Sequence, residues 1–103
     1  MLDKSTVISA VRRYSDEIKK RYNPTAIVLF GSHIDGTSHE DSDIDVAVVF
    51  NGFVGNWYDT TVDLWRISES VSLDIEPHLL DTAKDKYGFA DHVMKTGDII
   101  YQA

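Results

Sequence analysis

Two aspartates, Asp43 and Asp45, stand two residues apart at the head of a stretch that alternates apolar and polar side chains. In an extended strand alternate side chains leave the same face, and the strand rise puts their Cα atoms roughly 6.5–7 Å apart. Two carboxylates aimed at one space repel each other and raise one pKa unless a cation lies between them. A hard divalent cation with oxygen ligands, Mg²⁺ or Mn²⁺, suits that arrangement. In phosphoryl and nucleotidyl transfer a pair of such ions, about 3.5–4 Å apart, stabilises both the attacking and the leaving oxygen. A third carboxylate completes such a site. Ser72-Leu73-Asp74-Ile75-Glu76-Pro77 offers two, Asp74 and Glu76, again on a shared strand face. Either could meet Asp43 and Asp45 if the two strands lie side by side.

Upstream, Gly31-Ser32 closes an apolar run just before a polar stretch. Glycine lets backbone approach a ligand closely, and free N–H groups at a turn or helix start attract phosphate. The Ser32 hydroxyl adds a donor, and the absence of a following lysine separates this cradle from a P-loop. An EF-hand reading of Asp41, Asp43 and Asp45 fails, because Val46 stands where that loop needs glycine and Gly52 where it needs glutamate. His33, His39, His78 and His92 show no zinc spacing and read as surface or partly buried residues.

The elements that must hold these groups follow from the apolar period. Val7, Val11, Tyr14 (or Ser15), Ile18 and Tyr22 recur at helical steps; Ser5 is the expected N-cap, and Asn23-Pro24 ends the helix. Ala26 to Phe30 is apolar throughout, which predicts a strand buried on both faces and central in its sheet. A short helical turn and loop occupy His33 to Ser42. Ser42 to Phe50 then forms a strand with Ile44, Val46, Val48 and Phe50 on one face and Asp43, Asp45, Ala47 and Val49 on the other. Trp57 to Ser70 is expected as a helix whose faces Val62, Trp65 (or Leu64) and Glu69 set less clearly. Val71 to Pro77 reads as a strand ended by its proline, Phe89 to Lys95 as a short helix stopped by Gly97, and Asp98 to Tyr101 as a strand or extended tail. The order α-β-turn-β-α-β-α-β predicts an α+β (α/β) fold, a small mixed sheet flanked by helices.

The chain of 103 residues predicts one domain over residues 1–103. Seventeen Asp and Glu against ten Lys and Arg give a net charge of −7, which argues against a broad basic footprint for nucleic acid or anionic membrane. No cysteine is present, so disulfides, thiolate metal sites and Cys nucleophiles are excluded. No apolar run spans a bilayer and Met1-Leu2-Asp3-Lys4 does not open a signal peptide, so the cytoplasm is the expected location.

Gly31-Ser32, Gly36 and Ser42-Asp43-Ile44-Asp45-Val46 together resemble the motif of the minimal nucleotidyltransferases of the DNA polymerase beta superfamily. Ile75-Glu76-Pro77-His78 is similar to the third-strand motif of one small-protein branch. The resemblance implies the nucleotidyltransferase fold. It implies divalent metal on Asp43, Asp45 and a third carboxylate, with Glu76 favoured and Asp74 the alternative. It also implies a nucleoside triphosphate, ATP, held at Gly31, Ser32 and Ser42. An acceptor hydroxyl would attack the α-phosphorus and release pyrophosphate. Small members of the family act with a separately encoded all-helical partner of the HEPN type, which the nucleotidyltransferase modifies with AMP as the antitoxin of the pair. One residue departs from the pattern: Asp35 stands where many members carry a basic side chain. That departure supports a reading of another class, a binding module that neutralises a helical partner by docking. An aminoglycoside-type enzyme fits less well, since its second domain has no counterpart here. Trp57, Tyr58, Trp65, Phe89 and Ile99-Ile100-Tyr101 could supply an apolar contact surface, for a homodimer among other uses.

Overall fold

A computed structural model of the chain describes residues 3–31 and 43–103. The turn and loop expected from His33 to Ser42 therefore lie outside the described residues. Helix α1 runs Lys4–Lys19 and buries one stripe, Val7, Ala10, Val11, Tyr14, Ser15 and Ile18. Its N-cap is Asp3 rather than the expected Ser5: the Asp3 carboxylate accepts from Thr6 N–H at 2.8 Å. A carboxylate in that position satisfies a free N–H and also suits the positive helix end. The helix closes before Tyr22, whose hydroxyl donates to Asp63 at 2.6 Å.

Strand β1 (Ala26–Phe30) lies between β2 (Ile44–Phe50) and β4 (Asp98–Gln102), antiparallel to both, and β3 (Ile75–Asp81) pairs parallel with the far side of β2. The order β3-β2-β1-β4 makes the mixed sheet of an α+β fold, with β1 central as its unbroken apolar run predicts. The last segment is a strand, which settles the choice between strand and tail. Ile27, Leu29, Ile44, Val46 and Val48 pack on one face with α1 and with Leu64 and Ile67 of α2 (Trp57–Val71). Ala26, Val28, Ala47 and Val49 pack on the other with Val93 of α3 (Phe89–Thr96). The alternation read from the sequence for β2 is thus the one observed, though the strand starts at Ile44 and not Ser42. A slip of one residue would drive Asp45 into the core against α1 and α2, so the apolar period fixes the face on which the acid emerges.

Two expectations are corrected here. Of Trp65 and its alternative Leu64 it is Leu64 that faces inward on α2, with Thr60, Ile67 and Ser68, while Trp65 and Val62 are 41% and 39% exposed and Glu69 is exposed. The steps of three and four set the stripe, and the bulk of Trp65 is a poor guide to it. Across that contact the buried Tyr14 hydroxyl donates to the Leu64 carbonyl at 2.8 Å; burial, aided by the Asp63 charge, holds its pKa well above the usual tyrosine value. The third strand is displaced from Val71–Pro77 to Ile75–Asp81, and Pro77 sits inside it. Ile44 N–H donates to the Asp74 carbonyl at 2.8 Å. That phase turns the backbone groups of residues 76, 78 and 80 toward β2 and those of 75, 77 and 79 away from it. Because β3 is an edge strand, the N–H that Pro77 lacks has no ladder partner to lose.

Asp81 closes β3 and is 6% exposed. Its carboxylate accepts from Gly52 N–H and Phe53 N–H, both at 2.8 Å, and from Ala83 N–H at 2.9 Å. The Gly52 N–H leads in holding its pKa below the ordinary value, against a smaller opposing effect of burial. A carboxyl depressed in the folded state stabilises above its unfolded pKa, and that contribution is lost as pH falls through the folded value. Asp81→Asn is therefore expected to cost about 2 kcal/mol at neutral pH, with the gap to wild type closing in acid. Urea unfolding of both proteins across that range checks it.

Candidate active site

The antiparallel pairing of β1 with β2 and the parallel pairing of β2 with β3 bring three strand ends to one corner of the sheet. Asp45 is the partner of Phe30 on one side and of Glu76 on the other. Asp43 precedes β2 and is exposed; Asp45, Glu76 and His78 are half-buried on the face that α3 covers further along. Asp45, Glu76 and His78 each offer a ligand atom, all within 4.8 Å of one another. Asp43, directly before β2, adds a further negative charge that acts on Glu76.

Of the acids read from the sequence, Asp45 and Glu76 converge, and Asp43 stands two residues before Asp45 at the head of β2. Asp74 lies in the turn before β3 with an exposed side chain, outside this cluster, and it is the Asp74 backbone that engages β2. Register explains the difference: Glu76, and not Asp74, is level with Asp45. Gly31 follows β1 directly, at φ +81°. A Cβ built on Gly31 would collide with the Asp45 carboxylate, so glycine here gives that side chain its room. Ser32 and Ser42, read as nucleotide-binding, and Gly36 and Asp35 lie outside the described residues.

The charge balance of the cluster fits a cation. Burial raises the Glu76 pKa, and so do the neighbouring Asp43 carboxyl and the Asp45 charge, against a smaller opposite pull from His78. A divalent ion among these oxygens would offset that repulsion, and hard oxygen donors suit Mg²⁺ or Mn²⁺. By contrast, the hollow of about 360 Å³ between α1 and Ser72, on the opposite face, is lined by no acid at all.

An acid whose pKa is raised on folding binds its proton more tightly in the native state. Stability therefore falls as pH rises through the window between the unfolded and folded values, and the full cost is present above it. Glu76→Gln is expected to remove that cost. Its Tm in EDTA at neutral pH should rise by roughly a few degrees, and the added stabilisation by Mn²⁺ should be lost. Thermal melts with and without Mn²⁺ read both effects.

His78, read from spacing as a surface or partly buried residue, is partly buried and belongs to the cluster. Its Nε2 lies 3.1 Å from Asp45 Oδ1, and its ring meets Phe30 edge-on at 5.1 Å, with Phe30 in turn against Phe89 at 5.9 Å. The signal available in the sequence was the strand period, which puts His78 on the same face as Glu76 once Pro77 is accepted inside the strand.

A mixed β3-β2-β1-β4 sheet with its helices on both faces and its acids gathered at one corner defines an α+β domain of the nucleotidyltransferase fold. Residues 14–103 match the family Polymerase beta, Nucleotidyltransferase, and the chain belongs to it. Among solved structures, the fold is similar to that of a Sulfolobus solfataricus protein assigned as a nucleotidyltransferase, with TM-score 0.69 and 22% identity over 93% of this chain and 80% of that one. It is also similar to a chain of a toxin–antitoxin with AMP-PNP, at TM-score 0.65 and 22% identity over 89% of this chain and 73% of that one. A third likeness is to a chain of a doubly Asp-to-Glu mutant MntA-HpeT toxin–antitoxin, at TM-score 0.59 and 24% identity over 99% of this chain and 75% of that one. No curated protein matches the sequence significantly.

Proposed function

We propose that this protein transfers a nucleoside monophosphate, AMP from ATP, to a hydroxyl of a separately encoded all-helical partner, as the antitoxin of a toxin–antitoxin pair. The observation that carries the chemistry is the level pairing of Asp45 with Glu76, with Asp43 beside them and Gly31 leaving the carboxylate room. Asp43, Asp45 and Glu76 would hold Mg²⁺ or Mn²⁺. When bound, such ions supply charge to the triphosphate and to the attacking and leaving oxygens. The turn at Gly31-Ser32, with Ser42, would position the phosphates. The acceptor oxygen forms a bond to the α-phosphorus, the bond from that phosphorus to the β-bridging oxygen breaks, and pyrophosphate leaves. The hydroxyl proton passes to a carboxylate of the cluster, for which Glu76, level with Asp45, is the candidate.

The partner is supported by likeness to two toxin–antitoxin structures, one of them with AMP-PNP and the other altered at two aspartates spaced as Asp43 and Asp45 are. The exposed Trp57, Tyr58 and Trp65 of α2 give an apolar area that a HEPN-type chain, or a second copy of this one, would cover. No helix among the described residues is long and apolar enough to cross a membrane, and the cytoplasm, where ATP is plentiful, is the proposed location. Asp35 favours the docking alternative, since an acid near the triphosphate opposes its charge.

Wild type and the Asp43→Asn/Asp45→Asn double variant, each incubated with α-labelled ATP, Mg²⁺ and the helical product of the neighbouring reading frame, separate the two. Label on the partner that is lost in the variant supports transfer. Neutralisation that survives in the variant with no label moved establishes docking instead.

A further inference from the structure

The three acids account for the charge of the corner, but they do not account for the imidazole that shares it. His78 follows Glu76 on the same face of β3, and its Nε2 sits 3.1 Å from Asp45 Oδ1. Asp45, Glu76 and His78 are the group of potential ligand residues that converges within 4.8 Å among the described residues. Two donors bound side by side to one first-row ion at about 2.1 Å each stand about 3 Å apart, so the observed separation, which is also that of a hydrogen bond, fits neighbouring ligands on a single cation. The ring is also held in place: Phe30 meets it edge-on at 5.1 Å, and Phe89 backs Phe30 at 5.9 Å. The His78 and Asp45 side chains are 31% and 26% exposed, enough for a hydrated ion to enter and too little for a freely turning ring.

We propose that His78 is a nitrogen ligand to the divalent cation held by Asp45 and Glu76, and that it biases the site toward Mn²⁺ over Mg²⁺. This inference rests on the functional reading above for the presence of a cation, and adds to it the identity of a fourth ligand and its consequence. Oxygen-only sites suit Mg²⁺, whereas an imidazole nitrogen favours the borderline transition ions. A histidine that merely oriented Asp45 would leave the metal preference unchanged, because its effect would pass through the same oxygen for either ion.

Mn²⁺ alone, with no nucleotide, is added to the full chain and electron spin-echo envelope modulation is recorded. Modulation from a directly bonded imidazole nitrogen is expected in wild type and absent in His78→Gln. Glutamine keeps an amide N–H for Asp45 but offers no imidazole. In calorimetric titrations His78→Gln should weaken Mn²⁺ by about tenfold or more and Mg²⁺ by less than about threefold. Bound Mn²⁺ that is lost in Asp45→Asn but shows no nitrogen modulation in wild type overturns His78 ligation and leaves the acidic site standing, as does an equal loss of both ions in His78→Gln. Mn²⁺ whose binding is indifferent to Asp45→Asn lies elsewhere, and overturns this inference and the functional reading together.

Discussion

Asp45→Asn is expected to lower nucleotidyl transfer by at least about 10³-fold while leaving the Tm within a few degrees of wild type. The substitution keeps the shape of the side chain and an oxygen for His78, and Asp45 is itself only partly buried, at the end of β2. What it removes is one negative charge from the point where β1, β2 and β3 meet. Groups that stabilise charge developing in a transition state are worth about 10²–10³ in rate apiece, and a metal ligand adds the loss of the ion itself. Asp74→Asn is the matched comparison. Its side chain is exposed in the turn before β3 and lies outside the cluster, so transfer should change by less than about threefold. Steady-state rates of the two variants, with circular dichroism to confirm folding, decide between Glu76 and Asp74 as the third acid: a loss in Asp74→Asn as large as in Asp45→Asn would move the site toward the turn.

The second large effect is expected at Gly31→Ala. The backbone there is at φ +81°, a region that costs an L-residue about 1–2 kcal/mol, and the added methyl meets the Asp45 carboxylate. Two losses should follow from one methyl group: about 1–2 kcal/mol of stability, and about 10²-fold in transfer as the carboxylate is pushed from its place. Gly52→Ala separates them. Gly52 also has positive φ, at +89°, but nothing lies within 4 Å of a Cβ built there. It should lose comparable stability and no activity. If both glycine variants retain full transfer, the close approach of β1's end to Asp45 has no part in the chemistry.

Much of this arrangement is legible in the order of residue types. The unbroken Ala26–Phe30 run places β1 centrally because a strand with apolar side chains on both faces needs cover on both. The alternation of β2 puts Asp43 and Asp45 on one face because the side-chain period is two. What sequence could not supply was register. Whether Asp74 or Glu76 meets Asp45 depends on how β3 slides against β2, and no local preference encodes that. Pro77 pulled the expected strand toward the N-terminus, since proline breaks an interior strand; only the sheet order shows that β3 is an edge where its missing donor is harmless. His78 was lost with it, because a strand ending at Pro77 leaves no ladder to carry the histidine to Asp45. Ser5 and Asp3 illustrate a smaller ambiguity: both are good caps, and the choice between them lies in geometry that composition does not reveal.

The central claim is that the Asp43, Asp45 and Glu76 corner moves a nucleotide rather than a single phosphoryl group. Parallel reactions with α-labelled and γ-labelled ATP, Mg²⁺ or Mn²⁺ and the helical partner test it most directly. The expected result is α-label on the partner, γ-label recovered entirely as pyrophosphate, and neither in the Asp43→Asn/Asp45→Asn variant. The γ-label on the partner, or α-label transferred equally well by that variant, would contradict it.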